Sequence, residues 1–244
     1  MKVLILGSGG YHPTETRQTT CVMIPEYGIV LDAGTAFFRV RENIKTDHLS
    51  ILLSHAHLDH VAGLTYLQGV LEGKLPEENV SIYGLSKHLE GVKTNLFSKT
   101  LFSVSLKAQL QPIDSNEKTF TTGTVKVNFR LQKHANDSVG YRLTLPDKKV
   151  IVFATDTTVA SEDGEFVREA DLLIHECYAT DAQKEFATKT FHSTPKEVYE
   201  LVEKMNVKKC VLVHINPESN PKDPLQSTLP QNIIIAHDNL EIEI

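Results

Sequence analysis

The apolar run from Leu49 to Leu53, broken only by Ser50, reads as a strand with both faces covered, and Ser54-His55-Ala56-His57-Leu58-Asp59-His60 follows it at once. A strand buried on both sides belongs to a layered α/β fold, so the three imidazoles and the carboxylate are delivered to one strand end. Imidazole nitrogens and carboxylate oxygens suit zinc and its neighbours among the divalent metals. In an extended or turning backbone His55 and His57 point the same way, while Asp59 and His60 can turn toward a second centre. The segment can therefore serve two metals; the bland alternative is a solvated histidine-rich loop.

Four ligands cannot fill two sites, so this reading needs more histidines and a bridging carboxylate at later strand ends. His134 follows the run from Val125 to Leu131, Asp156 follows Val150 to Ala154, and His214 follows Cys210 to Val213. Each alone is more simply a cap or turn residue. As an ordered set, each just past an apolar run, they can converge on a common sheet edge.

Further strands are expected at Val3 to Leu6, at Cys21 to Ile24 and Ile29 to Leu31 as a hairpin, and at Val80 to Tyr83, Val139 to Leu145, Leu172 to Ile174, Ile233 to Ile235 and Leu240 to Ile244. Helical stretches are expected at Thr35 to Glu42, from Val61 to Leu71 and at Ser86 to Phe97, with no assignment for 98–117. Thr194-Pro195-Lys196-Glu197 has the form of a helix start, with Thr194 as N-cap, Pro195 first and Glu197 three residues after the cap. Strands mostly in antiparallel groups with helices between them predict one α/β domain over 1–244, without repeats or linkers.

The chain's 244 residues are 41% hydrophobic, enough for a sizeable core. With 25 Lys+Arg against 31 Asp+Glu, a formal charge of −6 disfavours a broad grip on nucleic-acid backbone. No run is long enough to span a membrane and Met1 to Gly10 lacks a signal-peptide core, so a soluble, cytoplasmic protein is expected. Cys21, Cys177 and Cys210 form no CxxC pair and suggest neither a disulfide framework nor a thiolate zinc site, and burial is the expectation for Cys177 and Cys210. Gly7-Ser8-Gly9-Gly10 is no nucleotide loop, because the third fingerprint glycine and the P-loop Gly-Lys-Ser/Thr are both missing.

These residues resemble the metallo-β-lactamase superfamily of binuclear hydrolases, and most closely its branch of tRNase Z and related phosphodiesterases. The resemblance rests on Leu6-Gly7-Ser8-Gly9-Gly10, Leu31-Asp32-Ala33-Gly34, the His55 to His60 signature, Thr155-Asp156-Thr157, Leu173-Ile174-His175-Glu176 and Phe191-His192-Ser193-Thr194. It implies a four-layer αββα sandwich of two mixed, largely antiparallel sheets with the metals at one rim. It places His55, His57 and His134 on one metal, Asp59, His60 and His214 on the other, and Asp156 between them. Two divalent ions are implied, zinc first, with manganese or iron as alternatives.

A metal-bridging hydroxide would then be the nucleophile, with Asp59 and His192 in the catalytic set; His192 matches the position that contacts the scissile phosphate and protonates the leaving group. Asp32 is either a partner of a ligating histidine or a turn-former. His175 reads as a core residue or a ligand's support, and His12, His48, His88 and His237 as surface histidines, with His12 also able to approach the site.

In the tRNA-cleaving members an arm that grips tRNA lies between the positions of His134 and Asp156. Here only 22 positions separate them, filled by a strand, a turn and a strand. The expected activity is therefore hydrolysis of a small or cyclic phosphodiester or nucleotide derivative, with no extensive nucleic-acid binding; a homodimer is compatible. The alternatives are a carboxylic ester, thioester or lactone hydrolase on the same site, tRNA 3′ processing, and a non-catalytic metal-binding module.

Overall fold

The computed structural model describes residues 1–114, 118–159, 163–218 and 229–244. The strands β1 (Lys2–Gly7), β2 (Cys21–Ile24), β3 (Ile29–Leu31), β4 (Leu49–Leu52), β5 (Val80–Gly84) and β6 (Gln109–Pro112) lie side by side in chain order. A second sheet takes β7 (Thr119–Thr122), β8 (Val125–Gln132), β9 (Ser138–Thr144), β10 (Val150–Ala154), β11 (Leu172–Glu176), β12 (Cys210–Val213) and β13 (Ile233–Ile235), also in order. The chain then returns to the first sheet, where β14 (Leu240–Glu243) pairs with β1.

The alternation of side chains along these strands makes the layers. Val3, Ile5, Val22, Ile24 and Leu52 face Ile151, Phe153, Leu172, Ile174, Val211 and Val213 of the other sheet in a common core. Their neighbours Leu4, Leu6, Cys21, Met23, Ile51 and Leu53 turn outward and pack under Phe37, Val40, Leu64, Leu67 and Leu89. Val152, Leu173, Cys210 and Leu212 likewise turn outward, under Val198, Leu201 and Val202 of the helix Pro195–Lys204. Both sheets are thus covered on both faces, which is why their strands read as continuous apolar runs, and the result is the four-layer αββα sandwich.

Pairing is antiparallel from β14 through β3 and from β7 through β10, and parallel from β3 through β6 and from β10 through β13. The sheets are mixed as expected but evenly so, rather than largely antiparallel. The sequence underweighted the parallel halves because a doubly covered strand has the same composition whichever way its neighbour runs.

The helix Pro195–Lys204 starts as its sequence dictates, with Thr194 and Glu197 completing a capping box and Pro195 in the first turn. Other helical expectations are met less regularly. Thr35–Asn43 is a 3₁₀ helix, and the Val61 to Leu71 stretch divides into helical pieces at Leu58–Val61, Ala62–Tyr66 and Leu67–Leu71. The division has a cause: Gly63 N–H leaves the helix to bond Ala33 O at 2.8 Å, while Ala33 N–H bonds His60 O at 2.8 Å. The segment is laced to the Asp32-Ala33-Gly34 turn, and regular helix is given up to hold the histidine motif in place. Residues 115–117 of the unassigned stretch lie outside the described residues.

Candidate metal centre

Asp32 follows β3, His55 follows β4, His134 follows β8, Asp156 follows β10, and His214 follows β12, so strand ends from both sheets meet at one rim. Asp32, Asp156 and His214 take left-handed backbone, at φ 56°, 48° and 54°, a conformation costly to non-glycine residues that here turns each side chain out of its strand direction. Gly10 makes room for one of them, since a Cβ there would lie 2.5 Å from the His214 ring.

Ring nitrogens and carboxylate oxygens gather in three overlapping groups, each with its donor atoms within 4.8 Å of one another. They are His55, His57, His134 and Asp156; Asp59, His60 and His214; and Asp156, His192 and His214. All seven residues nominated as ligands are therefore brought together, and so is His192. Asp156 stands between the first two groups: its Oδ2 is 3.6 Å from both His55 Nε2 and His134 Nε2. Its Oδ1 is 3.2 Å from His60 Nε2 and 3.3 Å from His214 Nε2.

The surroundings set the tautomers. Asp32, fully buried, accepts the Ser54 N–H, the Ser54 Oγ–H and the His60 Nδ1–H, each at 2.7 Å. Ser54 Oγ, its own proton spent on Asp32, accepts from His55 Nδ1 at 2.9 Å. One carboxylate thereby leaves Nε2 of both His55 and His60 as the nitrogen facing the rim, and His60 Nε2 has no hydrogen-bond partner among the described residues. Asp32 is more than a turn-former.

Burial holds His55, His57 and His134 below the ordinary imidazole range, so these rings are neutral. Burial pushes Asp59 and Asp156 the other way but is outweighed by the rings beside them, chiefly His60 for Asp59 and His214 for Asp156, so both are ionised. Burial would also lower His60, yet Asp156, Asp59 and Asp32 hold it raised: three carboxylates favour positive charge at Nε2, which a cation would supply in place of a proton. Neutral rings, ionised carboxylates and an orphaned inward nitrogen are the donor set that divalent cations need, so the residues fit metal ions.

One functional residue went unrecognised in the sequence. Glu176, fully buried at the end of β11, accepts His192 Nδ1–H at 3.0 Å and the Ser193, Thr157 and Tyr178 N–H groups at 3.1, 3.1 and 2.9 Å. Tyr178 stacks on the His192 ring with centroids 4.7 Å apart. The available signal was a carboxylate closing an apolar strand, the placement that singled out Asp156 and His214.

A cavity of about 360 Å³ opens over the cluster, walled by Tyr11, Tyr178, Phe186 and Phe191, with Lys189 at its rim. The other histidines lie apart from these groups. His12 and His237 are exposed, His48 is half-buried, and His175 is buried, with Nδ1–H donating to Glu176 O at 2.7 Å. His88 is not on the surface: it is 1% exposed. Its Nε2–H donates to Asn136 O at 2.8 Å, a partner 48 positions away that no local pattern announces. Cys177 and Cys210 are buried free thiols held above the ordinary range by burial.

Fold and rim agree with the matched family, whose model is the β-lactamase superfamily domain and spans residues 27–215. The chain belongs to the metallo-β-lactamase superfamily and is a metal-dependent hydrolase. It is similar to a ribonuclease Z of Methanosarcina acetivorans, 27% identical over 304 aligned positions covering 100% of this chain and 98% of that one. The human tRNase Z short form superposes with a TM-score of 0.79 at 23% identity, over 100% of this chain and 99% of that one. A diphosphatase of the PhnP family superposes at 0.78 with 20% identity, over 100% and 98%. No helix among the described residues is long and apolar enough to cross a membrane.

Proposed function

We propose that this hydrolase is a phosphodiesterase acting on a small or cyclic phosphodiester or nucleotide derivative. His55, His57, His134 and Asp156 would hold one divalent cation and Asp59, His60, His214 and Asp156 a second, with zinc favoured by the nitrogen-rich donor set. Bound there, the cations would supply an activated water and a Lewis acid for the phosphoryl oxygens.

The observation that carries the reading is the setting of His192. Burial would lower its proton affinity, but the hydrogen bond and charge of Glu176 outweigh it, so the ring sits above the ordinary imidazole range. With Nδ1–H committed to Glu176, Nε2 is the nitrogen left to give a proton to a departing alkoxide, and the Tyr178 stack keeps the ring from rotating away. A phosphodiester with a poor leaving group needs that donor. The aromatic wall and Lys189 suit a ring-bearing, anionic substrate, and a cavity of about 360 Å³ is of the size that encloses a small ligand.

Substrate size follows from the interval between His134 and Asp156, which β9, β10 and the turns beside them occupy completely. The alignment with the archaeal ribonuclease Z runs over 304 positions against 244 residues here, so 60 aligned positions have no counterpart in this chain. The relatives' name favours tRNA 3′ processing as the second reading, and initial rates decide between them. The chain should hydrolyse a cyclic nucleotide or dinucleotide far faster than it processes precursor tRNA, and faster than it cleaves a thioester or lactone. Efficient cleavage of precursor tRNA would place the substrate grip elsewhere on the surface, and a carbonyl substrate in front would overturn the phosphodiesterase reading.

The role of Glu176 has its own signature. His192 must be protonated to act, so kcat/KM falls as pH rises through its pKa, and Glu176 is what raises that pKa. Glu176→Gln should therefore move the basic limb of the pH–rate profile to lower pH on an unactivated diester. An unmoved limb would detach Glu176 from the proton donor.

A further inference from the structure

The histidines of the rim are not held alike. His55 leans on Ser54 and His60 on Asp32, but His134 Nδ1 has no hydrogen-bond partner among the described residues. Apart from the packing of its ring beside Phe191 and His192, its position comes from its backbone, the turn 134–137 after β8, closed by the Asp137 N–H to His134 O bond at 3.3 Å with Asp137 at φ 52°. Two consecutive residues of the helix Ser86–Gly91 grip that turn. Lys87 Nζ reaches Asp137 Oδ2 at 2.5 Å, and buried His88 donates from Nε2 to Asn136 O at 2.8 Å.

The helix is itself fastened to the first sheet. It leaves the end of β5, Leu89 packs into that sheet's outer core, and Ser86 N–H bonds Asp114 at 3.0 Å. His55 and His57 hang from the first sheet through β4, whereas His134 hangs from the second through β8. The Val139 N–H to Ser54 O and Tyr141 O–H to Leu53 O bonds join the end of β4 to β9, and the tether that Lys87 and His88 make from the first sheet to the His134 turn adds the link that reaches His134 itself. Of the two contacts the His88 bond is the stronger, being buried, since the Lys87–Asp137 pair is about half exposed and such pairs contribute little.

We infer that His88 is a positioning residue that holds His134 in register with His55 and His57, and so governs occupancy of the cation site these three share with Asp156. The inference rests on the binuclear reading above. It is tested by competition titration of zinc against a chromophoric chelator, which reads two binding constants without recourse to activity. His88→Phe keeps the volume and loses the donor. It should weaken one of the two sites by about ten- to a hundredfold, the usual effect of losing a ligand's outer support, and leave the other unchanged.

His88→Gln, whose amide can reach the same carbonyl, should restore most of the affinity. His88→Asn, whose amide is one carbon too short to reach the Asn136 carbonyl, should weaken the same site as His88→Phe does, and it decides the matter if the phenylalanine variant does not fold. Folded variants with wild-type constants, equal weakening of both sites, or no rescue by glutamine would overturn the inference and leave the binuclear reading intact. A wild-type chain that takes up fewer than two ions defeats that reading, and the inference with it.

Discussion

Asp156→Ala should empty the centre of both cations and lower diester hydrolysis by about a thousandfold or more, at or beyond the upper end of the cost of one lost electrostatic stabiliser. The size of the effect comes from position. Among the described residues no other carboxylate has one oxygen toward His55 and His134 and the other toward His60 and His214. Its removal takes away the anion that offsets repulsion between two neighbouring cations, so both sites fail together rather than one. Elemental analysis after gel filtration, with turnover on an unactivated diester, checks this; retention of both ions at wild-type turnover would remove Asp156 from the bridging role.

His192→Ala should cut turnover of an unactivated diester by about a hundredfold or more, the scale of a lost general acid, with metal content unchanged. On a nitrophenyl diester the loss should shrink, because that leaving group departs without a proton. The contrast between substrates matters here, since the donor atoms of His192, Asp156 and His214 also lie within 4.8 Å of one another. Loss of a cation in the variant would make His192 a ligand and reopen the place of His214. Loss of neither metal nor activity would put the carbonyl-hydrolase reading ahead.

Much of the centre was legible because the side chains gathered there are announced locally: each follows an apolar strand, and four of them fall within His55 to His60. The capping box at Thr194 was legible for the same reason. The layered architecture came through resemblance rather than periodicity, because a strand covered on both faces shows no alternation from which its layer can be read. Glu176 escaped because its partners, Thr157, His192 and Ser193, lie 16 to 19 positions away and meet it only once β11 is in place. His88 was misjudged as a surface residue for a related reason: its hydrogen-bond partner, Asn136 O, lies 48 positions away in a turn of the other sheet. Gly10 gave no hint that it stands against the His214 ring, a contact made between distant parts of the chain.

The central claim is that seven side chains from two sheets form one binuclear hydrolytic centre. Metal stoichiometry tests it most directly, by elemental analysis of the chain as purified and after chelation and reconstitution with zinc or manganese. The account predicts close to two ions per chain, lost to chelator together with hydrolysis and restored with it. A chain that holds no transition metal and takes none up, or that reaches full activity with a single ion, would contradict it.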